Sequence, residues 1–285
     1  MLELNNLTKY YNKNLAVDNL SLKVNKGEIF GFIGPNGAGK STTINSIMRL
    51  VNKTTGKIII DNEVITNKSY KYKENIGYLP SEIYLYDDLK VKDVFKYANS
   101  FYKKDCTKKI NELVTRLNID TNKHIEDLSL GNLKKVGIVL ALMHNPKILI
   151  LDEATSGLDP LIQEEFYKIL LEEKSKGKTI FFSSHNLTEV KRICDRVGII
   201  KESKLIKVEN IKDIINNYLN IITITSKDIN KFKDKFNIIN EVDNTIKFTY
   251  NEDVNKLINL LNKYKINKLL IEEASLEEVF KHYYE

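Results

Sequence analysis

Gly34-Pro35-Asn36-Gly37-Ala38-Gly39-Lys40-Ser41 follows directly on the buried-looking apolar run Glu28–Ile33 and opens a segment of helical texture, 39–51. Its spacing is G-x-x-x-x-G-K-[ST]. The glycines let the backbone wrap closely around a phosphate, so that its N–H groups point inward as donors. The helix that follows adds its positive N-terminal end. Lys40 brings a point charge to the β- and γ-phosphates, and the Ser41 hydroxyl can ligate Mg²⁺. Gly34, Pro35, Asn36, Gly37, Ala38, Gly39, Lys40 and Ser41, with Thr42 after them, are the expected nucleotide-phosphate segment. On its own it says which groups are bound, not which machine binds them.

A second apolar run, Ile148-Leu149-Ile150-Leu151, ends in Asp152-Glu153. Ligands of a parallel sheet lie outside the carboxyl ends of its strands, so these two carboxylates are expected to face the phosphate loop. Asp152 is then placed to hold Mg²⁺ or its waters, and Glu153 to orient and deprotonate an attacking water. A third run, Thr179–Ser183, leads through Ser184 to His185. Read from its chemistry, His185 is either a structural histidine or a group that reaches a γ-phosphate from the same sheet edge.

Working outward, short strands are expected at 2–4, 20–24, 57–61, 76–79, 147–152, 179–183 and 197–200. Helices are expected at 91–101, 108–117, 131–143, 161–174 and 187–194. Buried strands alternating with helices imply a largely parallel sheet covered on both faces, with a smaller antiparallel layer from the early alternating strands. After about Asn217 the texture changes. Strands at 221–225, 236–240, 245–250 and 268–272, with helices at 227–235, 253–264 and 276–284, read as a split βαβ appendage. It shows no cluster of Gly, His, Cys or paired carboxylates that suggests chemistry, so a regulatory or assembly role is expected for it.

Composition narrows the class. The 285 residues are 42% hydrophobic and 29% charged, as soluble globular chains are, and no apolar run reaches spanning length. Met1-Leu2-Glu3-Leu4 lacks the basic start and apolar core of a signal peptide, so a cytoplasmic location is expected. Two distant cysteines, Cys106 and Cys194, read as reduced thiols. The net charge of +6 comes from lysines scattered among acids, with arginine only at 49, 116, 192 and 196. That is a solvated surface, not a base-reading groove, and no nucleic-acid partner is expected.

Together these residues resemble the ATPase subunits of ABC transporters, over about 1–206. Ser156-Gly157-Leu158-Asp159 looks like the family's D-loop, Ser184-His185 like its histidine switch. Leu128-Ser129-Leu130-Gly131-Asn132 resembles the signature written Leu-Ser-Gly-Gly-Gln. Tyr11, with Tyr10 as the alternative, sits where the family stacks an aromatic ring on adenine. Ser81 stands where the family has a glutamine that holds a magnesium-bound water, Leu130 and Asn132 replace Gly and Gln, and Ala154 replaces a proline. The signature form, the Leu79-Pro80-Ser81-Glu82 segment and Ser275–Phe280 are similar to ABC-2 type exporters, including those conferring resistance to peptide antibiotics.

The resemblance implies an α/β P-loop NTPase domain over 1–217, with a helical signature subdomain at about 82–145, and an accessory α+β domain over 218–285. It implies ATP and Mg²⁺ as ligands, and a homodimer or paired ATPase subunit in which Ser129, Leu130, Gly131 and Asn132 meet ATP across the interface. It implies Glu153, His185 and Lys40 as catalytic groups, and Ser41, Asp152 and Ser81 at the metal. An integral membrane permease would hold the chain peripherally on the inner face of the membrane. Two other classes stand against this. A ribosome- or nucleic-acid-associated ATPase of the same fold usually carries a long coiled-coil insertion or two cassettes, and here 41–128 has room only for a small helical subdomain. A P-loop kinase has no use for a signature, D-loop and switch histidine together. A cassette that regulates its partner is the further alternative.

Overall fold

The computed structural model describes residues 1–216, 220–250 and 252–273. The chain divides into two compact units, Met1–Asn210 and Ile211–Glu285. Strand β1 (Leu2–Tyr11) pairs antiparallel with β2 (Asn14–Val24), and both are far longer than the expected short strands. Alternation of apolar and polar side chains continues through Leu7 and Val17, and a tight turn at Asn12, in the left-handed region, joins them. Next come β3 (Ile29–Ile33), α1 (Lys40–Ile47), β4 (Thr55–Ile60), the short β5 (Glu63–Val64) and β6 (Ile76–Leu79). Helices α2 (Val91–Asn99), α3 (Thr107–Arg116) and α4 (Leu130–Leu142) form the helical portion. The unit closes with β7 (Ile148–Asp152), α5 (Pro160–Ser175), β8 (Thr179–Ser184), α6 (Leu187–Ile193), β9 (Arg196–Lys201) and β10 (Lys204–Asn210).

Two sheets result, one antiparallel in the order β2-β1-β4-β5 and one of six strands in the order β10-β9-β3-β8-β7-β6. In the six-stranded sheet all neighbours are parallel except the β9–β10 edge pair. Every residue of β3, β7 and β8 is buried, as strands covered on both faces must be. Phe181 of β8 packs between Phe30 and Phe32 of β3, with ring centroids at 5.9 and 5.3 Å. Burying each such ring stabilises the fold by roughly 2–3 kcal/mol before ordering costs. Helix α5 starts with Pro160 behind an Asp159 cap and buries Phe166, Ile169, Leu170 and Glu173 at 3–4 residue spacing.

The arrangement delivers one loop from each of four adjacent parallel strands to a single edge. The phosphate loop leaves β3, Ser184-His185 leave β8, Glu153 leaves β7, and Pro80-Ser81 leave β6. Strand β8 lies between the phosphate-loop strand and the acidic strand, which sequence order does not reveal.

The second unit opens with α7 (Ile211–Asn216) and builds a four-stranded sheet from β11 (Asn220–Thr225), β12 (Ile238–Val242), β13 (Thr245–Tyr250) and β14 (Lys268–Glu273). The order is β12-β13-β11-β14 and all pairs are antiparallel, the spatial order of a split βαβ unit. Helix α8 (Val254–Leu261) follows β13, and Leu257 and Leu261 join Ile222, Ile224, Ile229, Phe232, Ile246 and Phe248 in its core. The expected helix 227–235 is instead two 3₁₀ turns, Ile229–Lys231 and Lys233–Lys235. Buried Ile229 and Phe232 are three residues apart, which matches the three-residue turn of a 3₁₀ helix, and Ser226 Oγ accepts from Asp228 N at 2.9 Å to start it. Strand β10 and helix α7 were not anticipated, because Lys204–Asn210 carries little apolar periodicity. The expected helix at 276–284 lies outside the described residues.

Candidate functional site

Gly39 closes the phosphate loop at φ 108°, and a Cβ there would stand 2.4 Å from the Ala16 carbonyl. Both facts require glycine, and they bring β2 hard against the start of α1. Thr43 Oγ1 donates to Gly39 O at 2.9 Å, which ties the first turn of α1 to the loop, and Ser46 Oγ donates to Thr42 O within the helix at 2.8 Å. Pro35, Asn36, Gly37 and Ser41 are exposed, while Gly34, Ala38, Gly39 and Lys40 are buried. Lys40 turns back over the loop, donating to Gly34 O at 2.7 Å and Pro35 O at 3.2 Å, and its ammonium stands 3.5 Å from Glu153 Oε1.

The acidic strand end is held from β8. Ser183 Oγ donates to Asp152 Oδ1 at 2.5 Å, and Glu153 N donates to Ser183 O at 3.2 Å. Asp152 is 2% exposed and has no ion-pair partner within 4 Å among the described residues. Glu153 has φ 50°, a left-handed conformation that non-glycine residues seldom take and that concentrates at functional sites. His185 Nδ1 lies 2.5 Å from Glu153 Oε2, so lysine, glutamate and histidine form one contiguous cluster. Nearby, burial and then the Asp152 charge push the Tyr78 hydroxyl up to about 12, keeping it neutral.

The signature residues and the D-loop are brought together with each other. Ser129 caps α4, its Oγ accepting from Asn132 N at 3.3 Å, and Leu130 is 81% exposed. A Cβ on Gly131 would meet the Gly157 carbonyl at 2.4 Å, so the two loops touch backbone to backbone. Asp159 Oδ1 accepts from Ile162 N at 3.1 Å, and Gln163 donates to Thr155 O and Leu158 O, which shapes Ser156–Leu158. No hydrogen bond joins Ser129–Asn132 to Gly34–Thr42 among the described residues. Tyr10 and Tyr11 sit at the exposed end of β1, with Lys9 Nζ 4.6 Å above the Tyr11 ring.

Three residues escaped the sequence reading. In sequence Ser183 reads only as part of a strand, yet it fixes Asp152. Lys134, on α4, donates to Ser81 O at 2.7 Å and Pro80 O at 3.3 Å from a buried position. Burial lowers its pKa, against the pull of Asp152 and Glu153. The lysine pair Lys134-Lys135 at the head of the apolar stretch Val136–Leu142 is the available signal. Glu189 is the third; its partners lie in two loops distant in sequence.

A family model described as ABC transporter matches residues 17–156. The ABC transporter ATP-binding protein YhaQ of Bacillus subtilis is 34% identical over 98% of this chain and 97% of its own length. The chain belongs to the ABC transporter ATP-binding family. The lantibiotic transport ATP-binding protein SrtF of Streptococcus pyogenes is 36% identical, over 77% of this chain and 97% of that protein. A dimeric cassette solved in a post-hydrolysis state with ADP and Pi superposes with TM-score 0.66 and 26% identity, covering 74% of this chain and 99% of that one. This ABC ATPase is therefore a nucleotide-binding, ATP-hydrolysing subunit of a transporter. Among the described residues it has no helix long and apolar enough to cross a membrane.

Proposed function

We propose that Lys40, Glu153 and His185 carry the hydrolysis and that the chain drives a separate membrane-spanning permease in the export direction, from its cytoplasmic face. The observation that carries the catalytic part is the single cluster these three side chains form at one sheet edge. Lys40 exchanges its loop carbonyls for the β- and γ-phosphate oxygens when ATP enters. Glu153 accepts a proton from the attacking water, whose oxygen bonds to the γ-phosphorus as the bond to ADP breaks. His185 holds that carboxylate through Nδ1 and turns its other nitrogen toward the phosphate. Ser129 and the Gly131 backbone, at the N-terminus of α4, contact the γ-phosphate of a second subunit, and Tyr11 stacks on adenine.

Ser41 and Asp152 suit a hard cation, since Asp152 is a buried carboxylate with one oxygen free of Ser183 and no cationic partner among the described residues. They would hold Mg²⁺, with Ser81 on a metal-bound water. When bound, the ion neutralises charge on the phosphates.

Support for a protein partner comes from an apolar cavity of about 630 Å³ in the helical portion, lined by Tyr84, Tyr86, Tyr97 and Phe101 among others. These four rings are 53–85% exposed, an aromatic patch of the kind that marks a docking surface. Export rests on the likeness of Leu128–Asn132 to ABC-2 exporters and on the lantibiotic transport relative. Residues 218–285 are proposed as an accessory domain to the nucleotide domain 1–217. The test is to isolate tagged Glu153→Gln protein with ATP from gently solubilised native membranes. A multi-spanning membrane protein should come with it; recovery with ribosomes and no membrane protein would sink the transport assignment.

A further inference from the structure

Glu189 lies on α6, four residues beyond His185, and only 7% of it reaches solvent. Its carboxylate is a junction. Oε1 accepts from Thr155 Oγ1 at 2.7 Å, and Oε2 accepts from Ser184 Oγ at 2.8 Å. Burial, and then the charge of the same carboxylate, raise the pKa of the Tyr167 hydroxyl of α5, and the Arg192 guanidinium covers the Tyr167 ring at 5.1 Å. Thr155 and Ser184 are the residues next to Ser156 and His185, and both are buried. Ser184 also accepts from Asn186 N at 2.8 Å, which fixes the entry into α6.

These bonds complete a ladder between two loops. Ser183 reaches Asp152, His185 reaches Glu153, and Ser184 reaches Thr155 through Glu189. From Thr155 the path continues, because its carbonyl accepts from Leu158 N at 3.1 Å and Gly157, within that turn, lies against the Gly131 backbone. A buried carboxylate is costly unless its oxygens are hydrogen-bonded, and here the partners come from both loops.

We propose that Glu189 is a positioning residue for ATP hydrolysis, one that makes the His185 loop, the Thr155–Asp159 loop and the signature end of α4 a single body. Its consequence is that displacement of the signature end is transmitted to the Glu153–His185 contact. The inference rests on the roles proposed for Glu153 and His185. Misplacing a reacting group by about 1 Å can cost up to about 100-fold in rate while ground-state binding survives.

The experiment measures kcat, the KM for ATP, ATP affinity and thermal stability in the full chain. Glu189→Ala should lower kcat by about tenfold or more with ATP affinity within about twofold. Glu189→Gln, which can accept from Thr155 and donate to Ser184, should recover most of that loss. Thr155→Val should lower kcat alone and add nothing to Glu189→Ala, as members of one network do. The inference is overturned if Glu189→Ala turns over at the wild-type rate, or if Glu189→Gln is as impaired as Glu189→Ala. Should Glu189→Ala not fold, Thr155→Val and Ser184→Ala decide, and wild-type kcat in both overturns it. Glu153→Gln serves as the reference. If it hydrolyses ATP normally the base assignment itself falls, whereas an inactive Glu153→Gln beside a fully active Glu189→Ala removes this inference alone.

Discussion

Both units are sheets with helices on them, yet only one gathers its reactive groups. In the six-stranded sheet of residues 1–210, four adjacent parallel strands end at one edge, and each end contributes Gly34–Lys40, His185, Glu153 or Ser81. In the four-stranded sheet of the second unit every neighbour is antiparallel, so successive strand ends point to opposite edges. Its core is filled by Ile222, Phe232, Ile246 and Phe248, and no metal-binding cluster of His, Cys, Asp or Glu occurs among the described residues. Parallel order converges chemistry; antiparallel order disperses it.

The largest expected effect is on the converging edge. Glu153→Gln should lower ATP turnover by about 100-fold or more while leaving nucleotide binding in place, read by phosphate release and by equilibrium binding. Wild-type turnover in that variant would break the comparison at its chemical side. On the other side, Phe248→Ala removes a fully buried ring stacked 4.0 Å from Phe236. It should destabilise the second unit by about 3–5 kcal/mol, seen as an earlier unfolding step, with ATP affinity unchanged.

A smaller and pH-dependent effect tests the scaffold behind the edge. Glu173 of α5 is 1% exposed and receives Lys176 at 2.8 Å, Lys109 of α3 at 3.3 Å, and Lys178. Burial pushes its pKa up, but the hydrogen bonds from Lys176 and Lys178 and the nearby charges outweigh it and hold the carboxyl at about 2. A depressed carboxyl contributes stability fully present above its ordinary value near 4.5 and lost as pH falls toward 2. Glu173→Gln should therefore cost about 3 kcal/mol at neutral pH by stranding buried lysine charge, and the gap from wild type should close across that window in thermal melts. A gap that stayed constant down to pH 3 would show the pairing to be irrelevant. The smallest effect expected is none: a chain ending at Asn210 should bind ATP within about twofold of the full protein, since the two units have separate cores.

Much of the first unit was legible because its strands are buried on both faces and so read as unbroken apolar runs, and because phosphate binding demands particular residues at fixed spacing. Lys40, Asp152 and Glu153 follow from that local grammar. His185 did not, until the wider pattern of motifs was considered, since one histidine after a strand has no local signature. The long β1–β2 hairpin was under-read because its alternation is interrupted by register shifts between Leu4 and Tyr10. In the second unit the strand sequence was legible, but the 3₁₀ turns at 229–235 were not, because spacing of three suits an α-helix almost as well.

By itself, the sequence determined where the fully buried strands β3, β7 and β8 lie and which residues can bind phosphate, because both are written within a few consecutive positions. Only tertiary structure decided that β8 lies between β3 and β7, that Lys134 reaches Ser81, and that Glu189 joins Thr155 to Ser184. Those contacts span from 5 residues of chain, for Glu189 and Ser184, to 151, for Ile29 of β3 beside Ile180 of β8. Such pairings depend on strand order and on which buried polar groups must find partners, and neither leaves a trace in local periodicity.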